Sequence, residues 1–214
     1  MADHADDGDD IFIYRGGRAP RHVTHVRIDK SVEVIDERAF FNCEHLVNVE
    51  THDGIRRVGD MAFYNCKLFR RINLKSVVEI GKAAFYGCNK LTEVECGDKL
   101  ETIGRYACYE CSSLKHLKLP SIITIKTLAF WNCRALTDIE FSERLDKIET
   151  NAFVKSITIA ALVNNIFNKE YISNGYYYTF DDTWTNPGVT TTIEGAGFYP
   201  QATRNFLIGA TLKF

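Results

Sequence analysis

A strict internal period constrains this chain more than any other feature. Ala39-Phe40, Ala62-Phe63, Ala84-Phe85, Ala107-Cys108, Ala129-Phe130 and Ala152-Phe153 follow one another at spacings of 23, 22, 23, 22 and 23 residues. Cys43, Cys66, Cys88, Cys111 and Cys133 keep the same beat. So do Leu46, Phe69, Leu91, Leu114 and Leu136, and so do Val26, Val49, Ile72, Val94, Leu117 and Ile139. One such unit has too little apolar surface to fold alone. Stacked units bury each other's apolar positions, and each touches only its neighbours. The "L-x-x-V-x-L" part of each unit is short and alternating, which suits a strand. Equivalent strands of successive turns can then pair in parallel about 4.8 Å apart. The Ala of each pair is small enough for the inside of a tight coil, and the Phe fills its centre. Gly59, Gly81 and Gly104 are predicted to supply a bend that needs little side-chain room.

The repeated "AFYNC", "AFYGC" and "AFWNC", each with a downstream "L-x-x-V", resemble leucine-rich repeats of the BspA-like surface-antigen type. The resemblance covers residues 22–153, about six units. It implies a mostly β repeat solenoid with a parallel concave sheet and short helical turns on the convex side. Members occur as extracellular adhesins in bacteria and as large families in unicellular eukaryotes, so the resemblance implies binding rather than catalysis. The pattern departs at Cys108, where Phe is expected, and at Ser156, where the next Cys would fall.

The cysteines raise a chemical question, prompted by "CYEC" at 108–111. Cys111 belongs to the repeat, and Cys108 replaces a core Phe. A single CxxC without a second pair does not complete a zinc set. The seven cysteines, an odd number, also fit poorly with a full disulfide framework. They read as buried thiols packing as small hydrophobes. No cofactor is expected.

On each strand, the residues flanking the central apolar one should face outward. One row is His25, Asn48, Arg71, Glu93, His116 and Asp138, and a second is Arg27, Glu50, Asn73, Glu95, Lys118 and Glu140. These are the candidate ligand-facing residues of the concave sheet. They are mixed in sign and contain no aromatic residue, so they also fit a solvated surface with modest cross-strand pairs. No Walker loop, H-E-x-x-H or G-x-S-x-G motif occurs, and an enzyme is not expected. A net charge of −2, from 26 basic and 28 acidic residues, argues against a nucleic-acid partner.

After Phe153 the grammar changes. All seven cysteines and six histidines precede residue 154, whereas 154–214 hold 11 of the 26 aromatics. "VNNIFNKEY" at 163–171, "YPQATRNF" at 199–206 and the terminal Phe214 resemble the end of a TonB-dependent outer-membrane receptor, over residues 155–214. In that family these are the last strands of a large barrel, and the terminal Phe is read by the barrel-assembly machinery. The alternation of Phe206, Ile208, Ala210, Leu212 and Phe214 with their neighbours agrees locally with a barrel strand. Two or three strands cannot close a barrel, so transport by this chain alone is excluded. Continuing the repeat register maps Leu136 onto Ile159 and Ile139 onto Leu162. The tail then adds a last strand at 157–163, with 204–214 returning beside it as a cap.

Three segments follow: an acidic tail and lead-in at 1–21, the solenoid at 22–153, and a β-rich, hairpin-like tail at 154–214 with an irregular connection around 172–200. The first function expected is a non-catalytic protein-binding or adhesion module using the concave face. The alternatives are a receptor remnant or fusion product, and a chimera with no joint function. Membrane association is expected only if the tail acts as in its family. The acidic start "MADHADDGDD" lacks the features of a secretory signal, which makes cytoplasm the default location and the outer membrane or cell surface the alternative.

Overall fold

The computed structural model describes residues 11–154 and Ser156, and the backbone of 181–182 and 191–192. In chain order the strands are β1 (Ile11–Tyr14), β2 (His25–Ile28), β3 (Val34–Ile35), β4 (Asn48–Glu50), β5 (Arg57–Val58), β6 (Arg71–Leu74) and β7 (Glu79–Ile80). They continue with β8 (Glu93–Cys96), β9 (Thr102–Ile103), β10 (His116–Leu119), β11 (Thr124–Ile125), β12 (Asp138–Phe141) and β13 (Lys147–Ile148). Two more, β14 (Asp181–Asp182) and β15 (Thr191–Thr192), form an antiparallel pair. That pair belongs to a separate compact unit, residues 164–207. It falls within the connection expected to be irregular.

Each turn of the coil has three sides. The long strands pair in parallel in the order β1-β2-β4-β6-β8, followed by a separate pair, β10-β12. Two-residue strands form a second parallel sheet, unbroken from β3 to β13. The third side is a chain of tight turns joined from rung to rung by main-chain hydrogen bonds. The amides of Phe40, Phe63 and Phe85 donate to the carbonyls of Ala62, Ala84 and Ala107 on the next rung, all at 2.7 Å.

No helix forms among the described residues, where the sequence predicts short helical turns. The turn side explains why. Arg38, Met61, Ala83, Tyr106, Leu128 and Asn151, each just before its A-F pair, have φ between 52° and 60°. Asn42, Asn65, Gly87, Glu110 and Asn132, each just before a ladder cysteine, have φ between 58° and 70°. Single left-handed steps at this spacing stop a right-handed helix from propagating. Amide groups that a helix would use internally alternate between i−3 turn bonds and the neighbouring rung. Asn and Gly at the second position tolerate this conformation better than most residues.

The glycines also differ from expectation. Gly59, Gly81 and Gly104 have no positive φ. A Cβ at Gly59 would lie 2.6 Å from the Ile35 carbonyl oxygen, and one at Gly104 would lie 2.6 Å from the Gly81 carbonyl carbon. These residues are needed because two rungs touch backbone to backbone, not because the chain bends.

The core is a column of side chains along the coil. Phe40, Phe63, Phe85 and Phe130 are fully buried, each worth roughly 1.5–3 kcal/mol in transfer from water. Phe40, Phe63 and Phe85 stack with centroids 5.0 and 5.2 Å apart, Tyr14 adds a ring at 5.0 Å on one end, and Phe130 stacks on Phe153 at 5.1 Å. Cys108, also buried, occupies the rung between Phe85 and Phe130. Ladder cysteines lie beside this column. The thiols of Cys66, Cys88, Cys111 and Cys133 donate to the carbonyls of Phe40, Phe63, Phe85 and Cys108, at 3.0 to 3.2 Å. Ser156 makes the equivalent bond to Phe130 at 2.7 Å. The cysteine position thus holds a small buried donor that adds a second hydrogen bond to a carbonyl already accepting a main-chain amide, one per rung.

The lead-in enters the coil earlier than the repeat indicates. Strand β1 pairs with β2 in the register Ile11↔His25 to Tyr14↔Ile28. The acidic segment 1–10, the seventh rung at 157–163, and the cap or barrel-like strand at 204–214 lie outside the described residues.

Candidate functional site

The twelve residues of the two sequence-derived rows all lie on the long strands. His25 and Arg27 are on β2, Asn48 and Glu50 on β4, Arg71 and Asn73 on β6, Glu93 and Glu95 on β8, His116 and Lys118 on β10, and Asp138 and Glu140 on β12. Their neighbours Val26, Val49, Ile72, Val94, Leu117 and Ile139 point into the core, at 0–5 % exposure. Alternation along a pleated strand produces this division. Register brings Arg27 beside Glu50, Arg71 beside Glu93, Asn73 beside Glu95, His116 beside Asp138 and Lys118 beside Glu140. Strands β8 and β10 are neighbours in the coil but are not hydrogen-bonded to each other.

Much of the charge in these rows is matched along the coil. Arg27 meets Glu50 at 2.6 Å, Lys118 meets Glu140 at 2.7 Å, and His116 lies 3.8 Å from Asp138. Glu95 is taken by Lys75, at 2.7 Å, from the end of β6. Hydrogen bonding to Glu140, then its charge, holds the Lys118 ammonium above its usual range, and Glu95 acts on Lys75 in the same way. Exposed pairs of this kind add little stability. Arg71 and Glu93, in the middle of the first row, form no ion pair among the described residues. Among the described residues, no cluster of three or more His, Cys, Asp or Glu has the geometry to hold a metal ion.

A second array escaped the sequence reading. Phe41, Tyr64, Tyr86, Tyr109 and Trp131, each following an A-F pair, form one stack along the turn side. Successive centroids lie 4.9, 4.7, 4.7 and 4.5 Å apart, and the rings are within 15° of parallel. All five are half-buried. The signal was visible as the third letter of "AFF", "AFY", "AFY", "ACY" and "AFW". Arg105 adds a cation–π contact with Tyr106, 4.8 Å from the ring centroid.

Comparison with known proteins places this architecture. The profile of the BspA type leucine rich repeat region matches in six copies, over residues 19–134, 69–183 and 101–212. No curated protein matches the chain. A leucine-rich repeat protein from Eubacterium ventriosum shares 22% identity with a TM-score of 0.58, over 65% of this chain and 45% of that one. A leucine rich cell surface protein from Faecalibacterium prausnitzii shares 24% identity with a TM-score of 0.53, over 69% and 42%. The T. pallidum leucine rich repeat protein shares 21% identity with a TM-score of 0.51, over 68% and 80%. The chain therefore spans less than half the length of the first two. These likenesses concern the fold. None of the comparisons supports a TonB-dependent receptor segment or a fusion, and the repeat profile itself runs on to residue 212.

Proposed function

This chain belongs to the BspA type leucine-rich-repeat family, and on that premise we propose that it is a non-catalytic protein-binding or adhesion module that uses its long-strand sheet. One observation carries the reading. Outward side chains of β2, β4, β6 and β8 are set at fixed register on a frame whose inward side chains are buried. The backbone that carries this surface is preorganised, so a partner orders side chains but no main chain on binding. Within that surface, Arg71 and Glu93 are neighbours in register but form no ion pair among the described residues, and Asn48 and Asn73 flank them. That patch, rather than the self-paired ends of the rows, is the centre of the binding face.

The test is site-specific photo-crosslinking. A crosslinker placed at Glu93 or Asn73 should capture a partner protein that one at Lys99, outside the long strands, does not. Arg71→Glu should reduce the yield at Glu93. Equal capture from all positions, or indifference to Arg71→Glu, would remove the long-strand sheet from the function.

A further inference from the structure

At the start of the turn side, Arg18, Arg21 and Arg38 line an open concavity of about 320 Å³ whose apolar walls are Phe41, Met61 and Tyr64. Arg18 and Arg21 are exposed, and their side chains make no ion pair or hydrogen bond among the described residues. Among the described residues, the Arg38 side chain pairs only with its sequence neighbour Glu37, at 3.6 Å. Other surface bases such as Arg15, Arg57 and Lys67 meet carboxylates of Asp29, Glu79 and Glu44; what distinguishes the hollow is that three arginines line one apolar concavity. Three guanidinium groups around one apolar hollow repel each other, and an anion between them relieves that repulsion.

We propose that this hollow docks an acidic segment of a partner protein, a carboxylate side chain with an apolar neighbour. Guanidinium groups match carboxylates with paired, charge-assisted hydrogen bonds. Phe41 and Met61 supply apolar contact for the flanking side chain. The aromatic stack argues against a nucleic acid. Tyr64, Tyr86 and Tyr109 each have both ring faces taken by neighbouring rings, so successive bases find no free stacking platform. The net charge of −2 also supplies no extended basic track for a phosphate backbone.

The experiment is fluorescence anisotropy of the full chain with a short fluorescein-labelled peptide that alternates glutamate with leucine. Saturable binding is expected at low salt, weakening as salt is raised. Arg18→Glu combined with Arg21→Glu should weaken it roughly tenfold, and Phe41→Ala should weaken it several-fold. Both arginines are exposed, so circular dichroism of the double variant should match the parent. The hollow shares no residue with the long-strand sheet, so Arg71→Glu should leave peptide binding unchanged. Undiminished binding by the double variant overturns the proposal. So does equal binding of a glutamine-leucine peptide, or equal competition by inorganic phosphate or an oligonucleotide of matched charge. Binding that emerges only when residues 2–10 are removed would assign the hollow to the chain's own acidic start and overturn the partner.

Discussion

Two aromatic stacks run side by side along this coil, and they differ at one rung. The outer stack passes without a gap from Phe41 through Tyr109 to Trp131. The inner stack stops at Phe85 and resumes at Phe130, with Cys108 between them. The long-strand sheet loses its hydrogen bonding between β8 and β10, the two strands that the Cys108 rung connects. The two-residue sheet and the turn ladder continue past the same point. The solenoid is therefore held by three parallel systems, and an irregularity in one need not propagate to the others. Inner positions are fixed by volume and exclusion of water. Outer rings are fixed by contact with one another and remain half-exposed.

Alkali should separate the inner column from the outer one with the largest effect. Burial pushes the thiols of Cys66, Cys111 and Cys133 well above their usual range, and Cys43 to about 11. In the unfolded chain these thiols ionise in the ordinary thiol range, about 8.5. Their folded values are raised, so their contribution is fully present below that pH and is lost as pH rises towards the folded values. These three thiols together should make stability fall steeply between pH 8 and pH 10. Urea unfolding at pH 8 and pH 10 measures this. Replacing the three by serine should flatten the dependence, and an unchanged slope would place the alkaline loss in the tyrosines and lysines instead.

Truncation should sharpen the same comparison. Phe63→Ala opens a void in the fully buried inner stack and should cost about 3–5 kcal/mol. Tyr86→Ala, one rung on in the half-exposed outer stack, should cost about 1 kcal/mol. Denaturant midpoints of the two variants check this, and similar costs would mean the outer stack is as structural as the inner one. Backbone contact gives an intermediate case. A Cβ at Gly81 would meet the Asp60 amide nitrogen and the Gly59 carbonyl carbon at 2.8 Å. Gly81→Ala should therefore cost about 1–3 kcal/mol through overpacking.

These contrasts also show how much of the molecule was legible in the sequence. The inner column was legible, because burial restricts residue type so strongly that period, strand positions and outward rows follow from spacing. The absence of helices was not. It depends on left-handed steps at residues as different as Arg38, Met61 and Leu128, which carry no shared chemical signature. The role of Gly59 was misjudged because a bend and a close approach select the same residue. The arginine hollow was hidden for a different reason. Arg18 and Arg21 precede the recognisable repeats, and only the fold brings them beside Arg38, Phe41 and Tyr64.

The cysteine ladder tests whether the inner column needs sulfur or only a donor. Cys88→Ala removes the thiol bond to the Phe63 carbonyl, at 3.0 Å, leaving that carbonyl with the Cys66 amide alone, and should cost about 1 kcal/mol. Cys88→Ser should recover much of this, because Ser156 already fills the equivalent position with a bond to Phe130. If serine proves as costly as alanine, the position is selected for size and polarisability rather than for its donor.

The smallest effect, and the most direct test of the missing ring, is expected from Cys108→Phe. The rungs on either side hold Phe85 and Phe130 fully buried at the equivalent position, so the coil has a defined place for a ring there. Filling it adds apolar contact on both ring faces and removes a thiol that has no ring partner. Overpacking opposes this gain to the extent that neighbouring side chains already occupy the space. The net should be about 1 kcal/mol of added stability, or roughly 3 °C in melting temperature. If the missing ring also causes the break between β8 and β10, amide exchange at His116–Leu119 should slow in the variant. A higher melting temperature with unchanged exchange would separate the two irregularities, leaving the sheet break a property of the β8–β9 connection rather than of the core. A lower melting temperature would mean that the inner column has already closed around Cys108, and that the continuity of the coil through this rung rests on the turn ladder and the outer stack.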